Sequence, residues 1–379
     1  MGAVLKARPF TIAVPQGKLD WIAAKLALSV PGYAPADDQD WMYGTDARWL
    51  AELLEYWRGT YDWRRCEAAL NRLPQFRAVI DGIDIHFMHV RAPAAEGGGK
   101  GGGKSRLPLI LTHGWPGSAL EFLGVIQPLA AMGFDLVIPS LPGFGFSGRP
   151  TGVIGPRRVA ALWRTLMVDV LGYPRFGAQG GDWGSGVTTW LGHDHADVVA
   201  AIHLNLFLAP ASIEGDDAAT TAYRAKLAAT QMAQSAYMME QATKPQTIGL
   251  ALADTPIGFA AWVCEKFQGW ADTGGDIHRR FTKDQLIDTI MTYLVNDAVQ
   301  SSIWMYRSIF SEGRPERRVE VPTGCALYPA EFMPYPPRQA AERAYNVVDW
   351  VVMQAGGHFA AMEEPAAFAE NVASFFAER

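Results

Sequence analysis

The sequence predicts an α/β fold: a mostly parallel sheet covered on both faces, with a helical cap inserted in it and a helical arm before it. Three observations carry this. Short apolar runs alternate with helical patterns from Leu107 to Leu204, and the strand pattern returns after Thr323. Between them, residues 211–318 lose that rhythm and are rich in Ala, Met, Gln and aromatics at helical spacing. Residues 1–75, ahead of the sheet, carry apolar residues at helical spacing.

Within the arm, Leu19–Leu28, Asp46–Trp57 and Cys66–Leu73 read as amphipathic helices. Its tryptophans, Trp21, Trp41, Trp49, Trp57 and Trp63, read as packing against a larger body. At Phe76 the period changes to two. Phe76–Ile80 and Ile83–Val90 alternate, and the Asp81-Gly82 between them signals a hairpin. The glycine-lysine run Gly97–Lys104 reads as a surface loop. Strand Leu109–Thr112, strand Phe134–Pro139, helix Arg157–Leu171, strand Phe176–Gln179, helix Ser185–His193 and strand Val198–Leu204 follow. Beyond the helical block come strands Thr323–Leu327 and Asn346–Met353 and a last helix, Pro365–Ala377. The expected segments are therefore an arm over 1–75, a first core part over 76–210, a cap over 211–318 and a second core part over 319–379.

A chain of 379 residues can bury a large core, and 49% hydrophobic with 19% charged residues is ordinary for a compact soluble enzyme. The net charge of −6, with Lys and Arg scattered, disfavours nucleic acid and anionic membrane surfaces as partners. Cys66, Cys264 and Cys325 are too few and too far apart for a disulfide framework. Residues 1–15 lack the apolar core of a secretory leader, and no run approaches the roughly 20 apolar residues of a spanning helix. A cytoplasmic location without a membrane anchor is the expectation.

Two motif matches fail on context. Gly98 to Ser105 fits the phosphate-loop expression, but a glycine run precedes it and a strand follows, where that loop needs a strand before and a helix after. Gly143-x-Gly145-x-x-Gly148 fits the dinucleotide fingerprint, but Arg149-Pro150-Thr151-Gly152 follows and no helix opens at the glycines.

The chemical signal is Gly180-Gly181-Asp182-Trp183-Gly184, between a buried strand and a helix. Its form, glycine-x-nucleophile-x-glycine, is that of a sharp strand-to-helix turn that lifts one side chain above the sheet edge. That side chain is Asp182; Ser185 comes too late to occupy the turn. A carboxylate attacks an sp3 carbon bearing a leaving group and gives an alkyl ester. Hydrolysing that ester needs a general base and N–H donors for a tetrahedral oxyanion. The donors expected are the backbone N–H groups of Trp115, in His113-Gly114-Trp115-Pro116-Gly117-Ser118, and of Trp183. His113 reads as shaping its turn. The base is His358, on the loop after the last strand, and the acid that orients it is Glu331, after strand Thr323–Leu327. Asp349 is the rival acid but falls inside a strand. Nucleophile, acid and base thus appear in the order of the α/β-hydrolase fold.

With these motifs the chain resembles the microsomal-type epoxide hydrolases, including the juvenile hormone branch, over almost its whole length. The resemblance rests on HGWPGS from His113, GGDWGS from Gly180, the cap stretch Thr243–Phe267 and GGHFAAMEEP from Gly356. It implies that two cap tyrosines, Tyr237 and Tyr306, donate to the epoxide oxygen, and that no metal or cofactor is needed. The partners it implies are a small apolar epoxide and water, with a homo-oligomer compatible. A haloalkane dehalogenase, whose elbow also holds an aspartate, and a non-catalytic binding protein on the same fold are the alternatives. Halide release would mark the first, and ligand binding without labelling of Asp182 the second.

Overall fold

The computed structural model describes residues 6–93, 106–207, 217–377 and 379. Its sheet has nine strands among these residues. They are β1 Arg8–Pro9, β2 Gln75–Ile80, β3 Ile83–Val90, β4 Leu109–Thr112, β5 Leu136–Pro139, β6 Phe176–Gly180, β7 Val199–Leu204, β8 Val319–Leu327 and β9 Tyr345–Val352. Their spatial order is β1-β2-β3-β5-β4-β6-β7-β8-β9. The pairings β1–β2, β2–β3 and β3–β5 are antiparallel, and every pairing from β5 to β9 is parallel.

The β2–β3 hairpin turns on Asp81 (φ 50°) and Gly82 (φ 77°). Two successive left-handed residues give the turn whose twist matches the flanking strands, as the Asp-Gly pair predicts. All of β4 is buried. Leu109 and Leu111 pack on one face with Phe368 and Val372, and Ile110 packs on the other with Val159 and Trp163. This alternation splits the core into two layers on a single sheet. Helices Pro156–Thr165 and Asp182–Asp194 pack together in one layer, and Leu123–Ala131 and Pro365–Phe376 in the other.

The cap enters between β7 and β8, above the carboxyl ends of the parallel strands. It contains helices Ala218–Gln234, Ala236–Thr243, Pro245–Ala253, Pro256–Trp270, Lys283–Leu294 and Ala298–Trp304. The arm lies against it. Tyr56 donates to Asp284 at 2.9 Å, Tyr61 to Asp288 at 2.6 Å and Thr45 to the Ala261 carbonyl at 2.7 Å.

Several elements differ from the expected ones. The arm is not wholly helical, because Arg8–Pro9 adds a short edge strand to β2. Its third helix is Trp63–Leu70, capped by Asp62, rather than Cys66–Leu73. The helix expected over 157–171 ends its regular α turns at Thr165 and continues as a π turn over Leu166–Val170. β8 begins at Val319 instead of Thr323; Pro322, which has no N–H for the ladder, coincides with a register shift rather than with the strand's start. Helix Leu123–Ala131 lacked an expectation. Gly97–Lys104, and with it the phosphate-loop match, lies outside the described residues. Among the described residues no single helix is long and apolar enough to cross a membrane. Cys66, Cys264 and Cys325 are buried and unpaired.

Candidate active site

Asp182 follows β6 and opens helix Asp182–Asp194 with φ at 47°. A non-glycine residue in the left-handed region is strained, and such strain gathers at functional sites. The helix therefore starts on the candidate nucleophile, three residues earlier than the apolar pattern suggested. β4 and β6 run level, with Thr112 beside Gly180, so the loop after β4 meets Asp182 directly. Two glycines allow that meeting. A Cβ on Gly184 would stand 1.9 Å from the Thr112 carbonyl oxygen, and one on Gly114 would stand 2.1 Å from Asp182 Oδ1.

The Trp115 backbone N–H donates to Asp182 Oδ1 at 2.7 Å. Trp183 lies in the first turn of the same helix, where backbone N–H groups have no intrahelical acceptor. His358, on the loop after β9, places Nε2 at 3.3 Å from Asp182 Oδ2. That nitrogen has no well-aligned hydrogen-bond partner. The other ring nitrogen, Nδ1, lies 3.1 and 3.0 Å from Glu331 Oε1 and Oε2. With Nδ1 donating to Glu331, Nε2 faces the nucleophile. Asp349 sits on β9 opposite Gly324 and does not meet the histidine.

Burial acts to lower the His358 pKa, but the carboxylates of Glu331 and Asp182 reverse this and hold it well above the ordinary value. Most of the other histidines are engaged elsewhere. His113 accepts from the Leu141 N–H at Nε2 (3.1 Å) and faces the Gly114 carbonyl through Nδ1 (2.9 Å), and burial pulls its pKa down to about 4. It is a neutral turn-former. His86 is bound to Ser140 and Gln75, His89 to Tyr173, His193 to Asp194 and His203 to Asn371. Among the described residues no cluster of His, Cys, Asp and Glu is arranged to hold a metal.

The cap brings both predicted tyrosines to this place. Tyr237, in helix Ala236–Thr243, stacks on Trp115 with ring centres 5.7 Å apart. Tyr306, in the turn Met305–Phe310, meets Trp183 edge to face at 4.9 Å. Their rings are 5.9 Å apart. Burial raises both phenol pKa values, and the charge of Asp182 pushes the same way, so both stay protonated beyond the ordinary tyrosine range. Another cap tyrosine, Tyr293, donates to the Gly117 carbonyl and so braces the turn that carries Trp115.

Two groups were missed. Trp270 touches both Tyr237 (5.1 Å) and His358 (4.9 Å), and its carbonyl accepts from the His358 N–H at 3.0 Å. Glu121 lines the same cavity as Asp182 and His358. Its signal was available: it is the one acid in the apolar run Ala119–Ile126.

The chain matches the family described as "Epoxide hydrolase N terminus" over residues 7–122 and that described as "alpha/beta hydrolase fold" over residues 108–235. It is 41% identical to a candidate epoxide hydrolase of Stigmatella aurantiaca, over 97% of this chain and 84% of that one. It is 33% identical to epoxide hydrolase 1 of Sus scrofa, over 90% of this chain and 82% of that one. The solved structure of Aspergillus niger epoxide hydrolase superposes with a TM-score of 0.87 at 31% identity, covering 99% of this chain and 97% of that one.

Proposed function

We infer the mechanism from one premise: the chain belongs to the microsomal-type epoxide hydrolase family and is an epoxide hydrolase. Asp182 attacks one carbon of an apolar epoxide, the ring C–O bond breaks, and a hydroxyalkyl ester of Asp182 forms. Tyr237 and Tyr306 stabilise the departing oxygen and pass it a proton that the His358 imidazolium replaces, since the oxygen is a poor leaving group unless its charge is met. His358, oriented by Glu331, then takes a proton from water. The water oxygen attacks the ester carbonyl, and the N–H groups of Trp115 and Trp183 hold the oxyanion. Collapse frees the diol and restores the Asp182 carboxylate.

The observation that carries this reading is the placement of the Asp182 carboxylate, 2.7 Å from the Trp115 N–H on one oxygen and 3.3 Å from His358 Nε2 on the other. One carboxylate oxygen is thus held by an N–H donor while the other stays available for attack. Oxygen labelling tests it. In a single turnover with excess enzyme in H2(18)O, the new hydroxyl of the diol comes from Asp182 and stays unlabelled. The label enters the peptide that contains Asp182. Label in the diol at first turnover would mean direct attack by water and would overturn the covalent path.

The tyrosines act on the first step alone. Tyr237→Phe and Tyr306→Phe are each expected to slow ester formation by about 10- to 100-fold, and the pair together by about 1000-fold or more, as loss of hydrogen-bond donors to a developing oxyanion does. Ester decay is expected to stay near the wild-type rate. Rapid-quench mass spectrometry of the enzyme separates the two.

A further inference from the structure

Glu121 is a half-buried acid to which the mechanism above gives no task. It stands in the short turn Ala119–Phe122, where the Ser118 side chain accepts from the Leu120 N–H at 3.2 Å. Its neighbours Phe122, Val125 and Ile126 belong to the core. A carboxyl in such a place is costly unless something there uses it. Burial pushes its pKa up to about 8; His358 opposes that rise and Asp182 adds to it. In its neutral form the group both donates and accepts hydrogen bonds.

Its position is specific. Glu121 lines a cavity of about 20 Å³ together with Asp182, His358, Trp115 and Gly181. A volume of that order accommodates one water. The carboxyl reaches the cavity because residue 117 is glycine: a Cβ there would fall 1.3 Å from Glu121 Oε1. The Ser118 backbone N–H, one residue on, bonds the same carboxyl. The loop that supplies the Trp115 N–H thus also makes room for an acid beside the base.

We propose that Glu121 is a positioning residue for the hydrolytic water: its carboxyl accepts one O–H of the water while His358 Nε2 faces the other. This rests on the covalent mechanism above and deepens its second step. His358 takes the second proton, the water oxygen bonds to Asp182 Cγ, and the bond from Cγ to the alkyl oxygen breaks. His358 returns the proton to that oxygen and takes up the one still carried by the former water oxygen, so Asp182 ends as a carboxylate and His358 as an imidazolium. Glu121 ends the step in the protonation state in which it began. Fixing the water between two groups selects the approach that reaches Cγ.

The effect falls on ester hydrolysis and spares ester formation. The test uses the full chain, styrene oxide as the probe, and two variants of similar volume, Glu121→Leu and Glu121→Gln. Thermal unfolding checks that both are folded. Rapid quench followed by intact-protein mass measures ester formation and decay. In Glu121→Leu, decay is expected to slow by about 10- to 100-fold, the scale of a misplaced reactant. Ester formation is expected within about 3-fold of wild type, and ester then accumulates at steady state. Glu121→Gln keeps an acceptor oxygen and recovers part of the lost decay rate. Decay at the wild-type rate in Glu121→Leu overturns the proposal, as does equal slowing of both steps, which marks general distortion of the site. Absence of any ester in wild type and in a folded His358→Gln variant overturns the covalent reading itself, and the role of Glu121 falls with it.

Discussion

His358→Gln is expected to convert the enzyme into a stable ester of its own substrate. Glutamine cannot take a proton from water, so the second step loses its general base, worth about 10²- to 10⁴-fold in rate. The first step keeps its nucleophile, its two tyrosines and the Trp115 N–H that orients Asp182 (2.7 Å). Ester therefore forms faster than it decays. Mixed with an excess of epoxide, the variant should gain a mass equal to one epoxide per chain, located on the peptide that contains Asp182. Diol formation should fall in proportion to the slowed decay. Normal turnover with no added mass would remove His358 from the role assigned to it. Glu331 should show a weaker form of the same behaviour, because it acts on the ring through the 3.0 and 3.1 Å contacts at Nδ1 and not on water.

Asp182→Ala should abolish diol formation, by about 10⁴-fold or more, with no ester at all. The contrast with His358→Gln is diagnostic. One variant stops before the adduct and the other stops after it. The comparison requires a folded protein, and circular dichroism with a thermal melt supplies that check. Alanine at this position keeps the strained φ of 47° but removes an anion from between a histidine and two phenols. Residual diol formation at a substantial rate would point to His358 activating water directly against the epoxide.

The candidate site was legible because the chemistry proposed for it demands particular residue types at particular spacings. A nucleophile on a tight turn needs glycine around it, and Gly180, Gly181 and Gly184 mark Asp182 in the sequence. The order of Asp182, Glu331 and His358 follows from the order of β6, β8 and β9, whose apolar runs are visible. The tyrosines were legible only by resemblance, since a cap tyrosine that meets the site looks like one that packs. Tyr293 shows this: it too is buried in the cap, yet it binds a carbonyl of the turn. Trp270 escaped because no local pattern marks which cap aromatic meets the site, and Glu121 because its one signal, an acid in an apolar run, does not tell that a cavity forms beside it. The fold was read in its strands better than in its ends. A two-residue edge strand such as Arg8–Pro9 leaves no periodicity to detect. The continuation of β8 through Pro322 is set by its neighbours and not by local preference.

In the proposed mechanism, the placement of His358 between two carboxylates makes its charge follow the reaction. In the free enzyme Asp182 and Glu331 together keep the ring an imidazolium against the pull of burial. The proposed alkylation of Asp182 would erase one of those anions, and burial would then favour the neutral ring. The proton is surrendered at the step that creates an alkoxide in need of one. Attack by water hands a proton back as Asp182 regains its charge. Through the free enzyme, the ester and the product state, nucleophile, base and acid together carry a constant single negative charge. Turnover by this route asks for no net proton from bulk water and delivers none to it, so a closed cap that admits only the one water consumed withholds no proton from any step.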